Sequence, residues 1–175
     1  MVPRLLGDNR LNLYGVFDGH AGHRASTYCR DNMAQRVSAH LLPRGTDAGA
    51  LTPEEGVGLF HAVFNETDEG FLEGARANQW EDGTTACVVM VSGDDLFCAN
   101  AGDSKAILVR FGATLPLSSE HKPGNPSELQ RIQDAGGVVE KIQGVCRVNG
   151  NLATSVSVGS ARACCLCNVV VAALL

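Results

Sequence analysis

The Asp18-Gly19-His20 triplet is the sharpest chemical feature of this sequence. It ends an apolar run, Leu11-Asn-Leu-Tyr-Gly-Val-Phe17, and opens into Ala21-Gly22. An aspartate carboxylate is a hard oxygen donor suited to Mg²⁺ or Mn²⁺. The glycine beside it leaves a carbonyl clear of side-chain bulk, so a second oxygen can face the same cation. Histidine, with an ordinary pKa of about 6.5, can give a proton to a leaving group at neutral pH. The blander alternative is a capped turn, with Asp18 accepting backbone N–H groups and His20 bonded nearby. For an isolated Asp-Gly-His that is the commoner outcome. A second acidic junction, Gly102-Asp103-Ser104-Lys105, alone reads as a β-turn. Two carboxylates at strand ends can converge on one cation, but spacing does not show that they do.

The elements that must position these residues are legible in the patterning. Leu11 to Phe17 predicts a short buried strand leading into Asp18. Ala25, Tyr28, Cys29, Met33, Val37 and Leu41 recur at helical spacing, and Pro43-Arg-Gly45 ends that helix. Thr52-Pro53-Glu54-Glu55 carries a helix start, with Leu59, Phe60, Val63, Phe64, Thr67 and Phe71 as the apolar stripe. Two successive helices argue against an alternating βαβ fold. Thr84–Val91, Leu96–Ala101 and Lys105–Arg110 predict an antiparallel meander. Asn125-Pro126-Ser127-Glu128 repeats the capping logic before a short helix, which Gly136-Gly137 ends. Two short strands follow, Val138–Ile142 and Val145–Val148, with Asn149-Gly150 as a turn signal.

In that setting, Tyr14-Gly-Val-Phe-Asp-Gly-His-Ala-Gly22 closely resembles the signature of the PPM family, the metal-dependent serine/threonine protein phosphatases of type 2C. Four more segments follow in that family's order: Gly83–Ala86, Leu96–Ala106, His121-Lys-Pro with Glu128, Arg131-Ile132 and Ala135-Gly-Gly137, and Arg147–Ser155. The resemblance implies an α+β fold, a β-sandwich of antiparallel sheets flanked by helices, here partial. It implies metal-dependent hydrolysis of phosphoserine and phosphothreonine in proteins, with Mn²⁺ or Mg²⁺ as cofactor and phosphoproteins as partners. Asp18 then bridges two ions, Gly19 offers its carbonyl, His20 protonates the departing oxygen, and Asp103 binds a third, weaker ion. The resemblance also implies an Arg and a Glu-Asp pair upstream, and two aspartates downstream in Ser-Asp-Gly and Asp-Asn settings. Arg4, Arg10 and Asp8 do not match the first set, and the sequence past Ser155 supplies neither of the second.

The expected organisation is therefore residues 1–155 as a partial phosphatase domain, apparently truncated at both ends, and 156–175 as a divergent apolar tail. If that tail is unpaired, its deletion costs no more than about 1 kcal/mol. Counting oxygen ligands, weak metal binding and little or no hydrolysis by this chain are expected. The alternative function is a non-catalytic pseudophosphatase or phosphoprotein-binding regulator.

Composition excludes other classes. The 175 residues carry a net charge of −5, with no basic face that would suggest a nucleic-acid partner. No apolar run approaches the roughly 20 residues of a membrane span, and the amino-terminal residues have no signal-peptide core. The seven cysteines are an odd, scattered set. Cys29, Cys87, Cys98 and Cys146 fall in apolar patterns and read as buried thiols, which points to the cytoplasm or nucleus. Cys164-Cys165-Leu166-Cys167 lacks a second pair or a histidine to complete a zinc site. His23, His40 and His61 read as surface or capping residues, and His121 as a turn residue.

Overall fold

A computed structural model describes Leu5, residues 11–45, residues 51–159 and the backbone of 172–174. In chain order the elements are β1 (Leu11–Val16), β2 (Gly19–His20), α1 (Arg24–Leu41), α2 (Pro53–Asn78), β3 (Gly83–Thr84), β4 (Ala86–Ser92) and β5 (Asp95–Ala101). Then come β6 (Ile107–Arg110), β7 (Ala113–Pro116), α3 (Pro126–Asp134), β8 (Val139–Ile142), β9 (Val145–Val148) and β10 (Ala172–Leu174). The main sheet runs β1-β4-β5-β10, and every strand pair is antiparallel.

Alternation along the sheet sorts its side chains. Leu13, Val88, Met90, Phe97 and Ala99 face a core shared with Met33 and Val37 of α1 and Phe60, Val63 and Phe64 of α2. The stripes read from the sequence thus meet each other across one face. The start of α2 is as expected. Thr52 Oγ1 accepts from the Glu55 N–H, the Glu55 carboxylate accepts from the Thr52 N–H at 2.8 Å, and Pro53 takes the first helical position. A cap of this kind is worth about 1 kcal/mol. The opposite face carries Cys87, Cys98 and Leu117, with Val89, Leu96 and Leu108 packed around them. Cys29, Cys87 and Cys98 are buried as expected, whereas Cys146 is half-buried. The Cys87 contact and burial both push the Cys98 thiol up.

The structure departs from the sequence reading in five places. The strand through Val16 is not buried throughout: Leu11 and Leu13 are, but Tyr14 and Val16 are exposed, because alternation puts them on the sheet face that the helices do not cover. The meander stops at two strands. After β5 the chain turns at Gly102, whose φ of 108° is open to glycine, and β6 pairs with β7 instead. The β8–β9 hairpin turns at Gln143-Gly144, both at positive φ, while Asn149-Gly150 makes a second turn that bridges Val148 to Leu152. Asn125 does not cap α3 with its side chain. Its amide donates to the Glu120 carbonyl at 2.7 Å, and Glu128 is buried against Arg131 and Ser155.

The fifth departure concerns the start of the apolar tail. Val156 and Val158 are buried in the helix-backed core, and Val158 exchanges two backbone hydrogen bonds of 2.9 Å with Thr84. The Gly159 N–H donates to Asp68 Oδ1 of α2 at 2.7 Å. Burial raises the Asp68 carboxyl above its ordinary range, and this bond offsets part of that. The condition for cheap deletion therefore fails at residues 156–159. Cys164, Cys165 and Cys167 lie outside the described residues.

Candidate active site

The two acidic junctions meet at one end of the sheet. The register of β1 on β4 continues through the short β2–β3 pair, Gly19 opposite Thr84 and His20 opposite Gly83. Asp18 therefore lies opposite Thr85. Its carbonyl accepts from the Thr85 N–H at 2.9 Å, and its N–H donates to Thr85 Oγ1 at 3.1 Å. The same hydroxyl is 2.7 Å from Ser104 Oγ, one residue past Asp103. Thr85 thus clips the Asp18 and Asp103 loops together, and the Asp18 side chain is left exposed.

Close backbone approach explains the glycine beside Asp18. A Cβ on Gly19 would sit 2.8 Å from Ser26 Oγ and 2.9 Å from the Gly22 carbonyl. The turn is held from outside by Asp82, which is buried. Its Oδ1 accepts from the Arg24 N–H at 2.9 Å, and its Oδ2 meets the Arg24 guanidinium at 3.0 Å. Those bonds supply the amino-terminal capping of α1 that His23 does not. Burial pushes the Asp82 carboxyl up, but the Arg24 N–H and guanidinium outweigh it, and the group lies below its ordinary range.

His20 is half-buried and its Nε2 has no hydrogen-bond partner. The ring packs on Gly83, where a Cβ would come within 2.3 Å of Nε2. Burial lowers the His20 pKa below the ordinary histidine value, and the nearby Asp18 and Asp103 charges oppose that only in part. The Asp103 loop is fixed from beneath by His121, which is buried. His121 Nδ1 lies 3.2 Å from the Gly102 nitrogen and 3.1 Å from the Gly102 carbonyl oxygen, so the ring is tied to the Gly102 backbone in either tautomer. The Gly102 carbonyl accepts from the His121 N–H and from Asn100 Nδ2, both at 3.0 Å.

The sequence reading named Asp18, Gly19, His20 and Asp103 but left their convergence open; it gave His121 only a turn and no role to Thr85, Asp82 or Gly83. Thr85 and Gly83 were visible as part of a motif. The strand register opposite Asp18 is the signal that assigns them. As a metal cradle the set is thin: among the described residues no three His, Cys, Asp or Glu side chains cluster to hold an ion. The exposed Asp18 carboxylate and the Gly19 carbonyl fit the oxygen donors of one weakly held, mostly hydrated ion and do not complete a two-ion centre.

Sequence and fold agree on a lineage. The family described as "Protein phosphatase 2C" matches residues 3–169. "Probable protein phosphatase 2C 14" of Arabidopsis thaliana is 34% identical over 162 residues, which is 93% of this chain and 34% of that protein. Two solved structures share the fold. A C. elegans sex determining protein superposes with a TM-score of 0.81 at 22% identity, over 96% of this chain and 41% of that one. The serine-threonine phosphatase 2C from Toxoplasma gondii gives 0.79 at 19% identity, over 96% and 65%. The mixed helix and antiparallel-sheet architecture is thus an incomplete type 2C phosphatase fold. This chain belongs to the protein phosphatase 2C family. It spans about a third of the length of the curated relative it matches.

Proposed function

We propose that this chain is a portion of a metal-dependent phosphatase that hydrolyses phosphoserine and phosphothreonine esters in proteins. The observation that carries the reading is the Thr85 clip, which ties the Asp18 and Asp103 loops together with both charges near His20. In this reading Asp18 and the Gly19 carbonyl hold Mn²⁺ or Mg²⁺, and Asp103 holds a further, weaker ion. Such an ion, when bound, lowers the pKa of water and offsets charge on phosphoryl oxygens. His20 supplies a proton to the departing serine or threonine oxygen. Burial against Gly83 lowers its pKa, which favours the neutral ring at rest. The phosphatase part runs past Ser155, because Val156 and Val158 pack in its core and Val158 pairs with Thr84.

Phosphoproteins are the partners, and the buried thiols fit the cytoplasm or nucleus. No helix among the described residues is long and apolar enough to cross a membrane.

A second reading, a phosphoprotein-binding regulator without turnover, is favoured by the absence of a three-ligand cluster among the described residues. Phosphate release from a phosphothreonine peptide in Mn²⁺ separates the two. Release near the metal-free background is the expected result for this chain, and peptide binding that persists in Asp18→Asn and without metal would favour the regulator. Turnover that disappears in Asp18→Asn would show that the chain is itself an enzyme and that the ligand count is wrong.

A further inference from the structure

A second concave feature adjoins the site and has no part in the chemistry above. The carboxy-terminal end of α2, the Trp80-Glu81 segment and the Val148–Leu152 turn enclose a cleft of about 780 Å³. That volume falls among those of ligand clefts, roughly 300–1,000 Å³. Its apolar wall is built by Ala75, Trp80, Val148 and Leu152. Ala75 and Val148 are buried, whereas Trp80 and Leu152 are half-buried and so present part of their apolar surface to the opening. The Trp80 ring is held in place from behind by Phe71, 6.1 Å between centroids, and by the Arg24 guanidinium at 5.2 Å. A fixed aromatic of this kind is a pre-organised contact surface.

The cleft is continuous with the candidate active site along two short stretches of chain. Ala21 lines it and directly follows His20. Gly83, which packs on the His20 ring, is three residues from Trp80, and three residues of chain span at most about 11 Å. Three residues of an extended peptide span the same distance, so a residue two or three positions from one held at Asp18 and His20 is within reach of Trp80. The rim carries one charge of each sign, Arg76 and Glu81, so it selects neither an acidic nor a basic peptide. Gln79 and Asn151 add side-chain amides that suit the backbone of an extended segment.

We propose that this cleft binds an uncharged apolar side chain of the substrate protein, two or three residues from the phosphorylated serine or threonine, against Trp80 and Leu152. The proposal rests on the phosphatase reading for what occupies the neighbouring site, and it concerns recognition only.

Trp80 is the only tryptophan in the sequence, so its emission reports the cleft directly. The full chain is titrated in Mg²⁺ with blocked alanine peptides centred on phosphothreonine. One set carries leucine two or three positions away, on either side in turn. Twins carry alanine or aspartate there, and each peptide has an unphosphorylated copy. The expected result is a blue-shifted Trp80 emission and at least ten-fold tighter binding for a leucine peptide than for its alanine twin. Leu152→Ser shrinks that preference to about two-fold, with phosphate-dependent binding retained. Should that variant not fold, the peptide scan on the unaltered chain decides alone. Equal affinity of leucine, alanine and aspartate peptides overturns the proposal, as does an absence of binding by every peptide at millimolar concentration. If unphosphorylated and phosphorylated leucine peptides bind alike, the cleft stands and the neighbouring phosphate site falls.

Discussion

The two faces of the main sheet are built from the same strands and have different fates. On one, Leu13, Val88, Met90, Phe97 and Ala99 are sealed by α1 and α2, with Phe60, Val63 and Phe64 fully buried between the layers. On the other, a small cluster around Cys87, Cys98 and Leu117 is only partly covered by the β6–β7 hairpin. Around it, Tyr14 and Val16 of the sheet and Ile107 and Val109 of the hairpin stand exposed. Stability is therefore concentrated on the helix-backed face. The glycines and carboxylates of the site occupy the end of the sheet, where the two faces meet.

That contrast can be broken by substitution. Phe64→Ala, on the sealed face, is expected to cost about 3–5 kcal/mol in urea unfolding, the sum of lost burial and a cavity. A loss below about 1 kcal/mol would falsify the claim that this face holds the fold. An effect of comparable size comes from the edge contributed by residues 156–159. A chain ending at Ser155 loses Val156 and Val158, each worth about 1.5–3 kcal/mol of burial. It should melt well below a chain ending at Gly159; coincident melting curves would show that these valines do not support the sheet.

Asp82 comes third. Asp82→Ala removes a hydrogen-bonded carboxylate from the start of α1, for about 1–3 kcal/mol at pH 7. Because the folded-state pKa of Asp82 is depressed, its contribution is present above the unfolded value of about 3.9 and is lost as pH falls through the folded one. The gap between wild type and variant should therefore close in acid; a gap unchanged at pH 2 would assign the effect to packing. The smallest effect is on the open face. Val16→Thr should change stability by no more than about 0.5 kcal/mol while reducing binding of an apolar dye. A larger loss would mean that this face is covered after all.

How much could be read beforehand follows the same division. Both long helices were legible because their stripes are complete and because Thr52, Pro53 and Glu55 form an unambiguous start. The site triplet was legible because its glycine and acid interrupt an apolar strand. β7 escaped because Ala113–Pro116 is exposed throughout and carries no alternation. The Gln143-Gly144 turn escaped because glutamine seldom marks positive φ, while Asn149-Gly150 nearby gives the louder signal. The parts played by Thr85, His121 and Glu128 depend on partners 19 to 67 residues away, which no local pattern encodes. Val156 and Val158 looked foreign because their neighbours in sequence do, yet their pairing with Thr84 is set by tertiary position.

The bond from Gly159 to Asp68 has a consequence in time. It closes a loop of 91 residues and joins the middle of α2 to one of the last described positions. A growing polypeptide emerging from the ribosome presents both helices and the central strands long before this amide exists. Until residue 159 is synthesised, the Asp68 carboxylate lacks that donor and the Val156–Val158 edge is missing. Until then the helix pair lacks one of the contacts that tie α2 to the sheet edge.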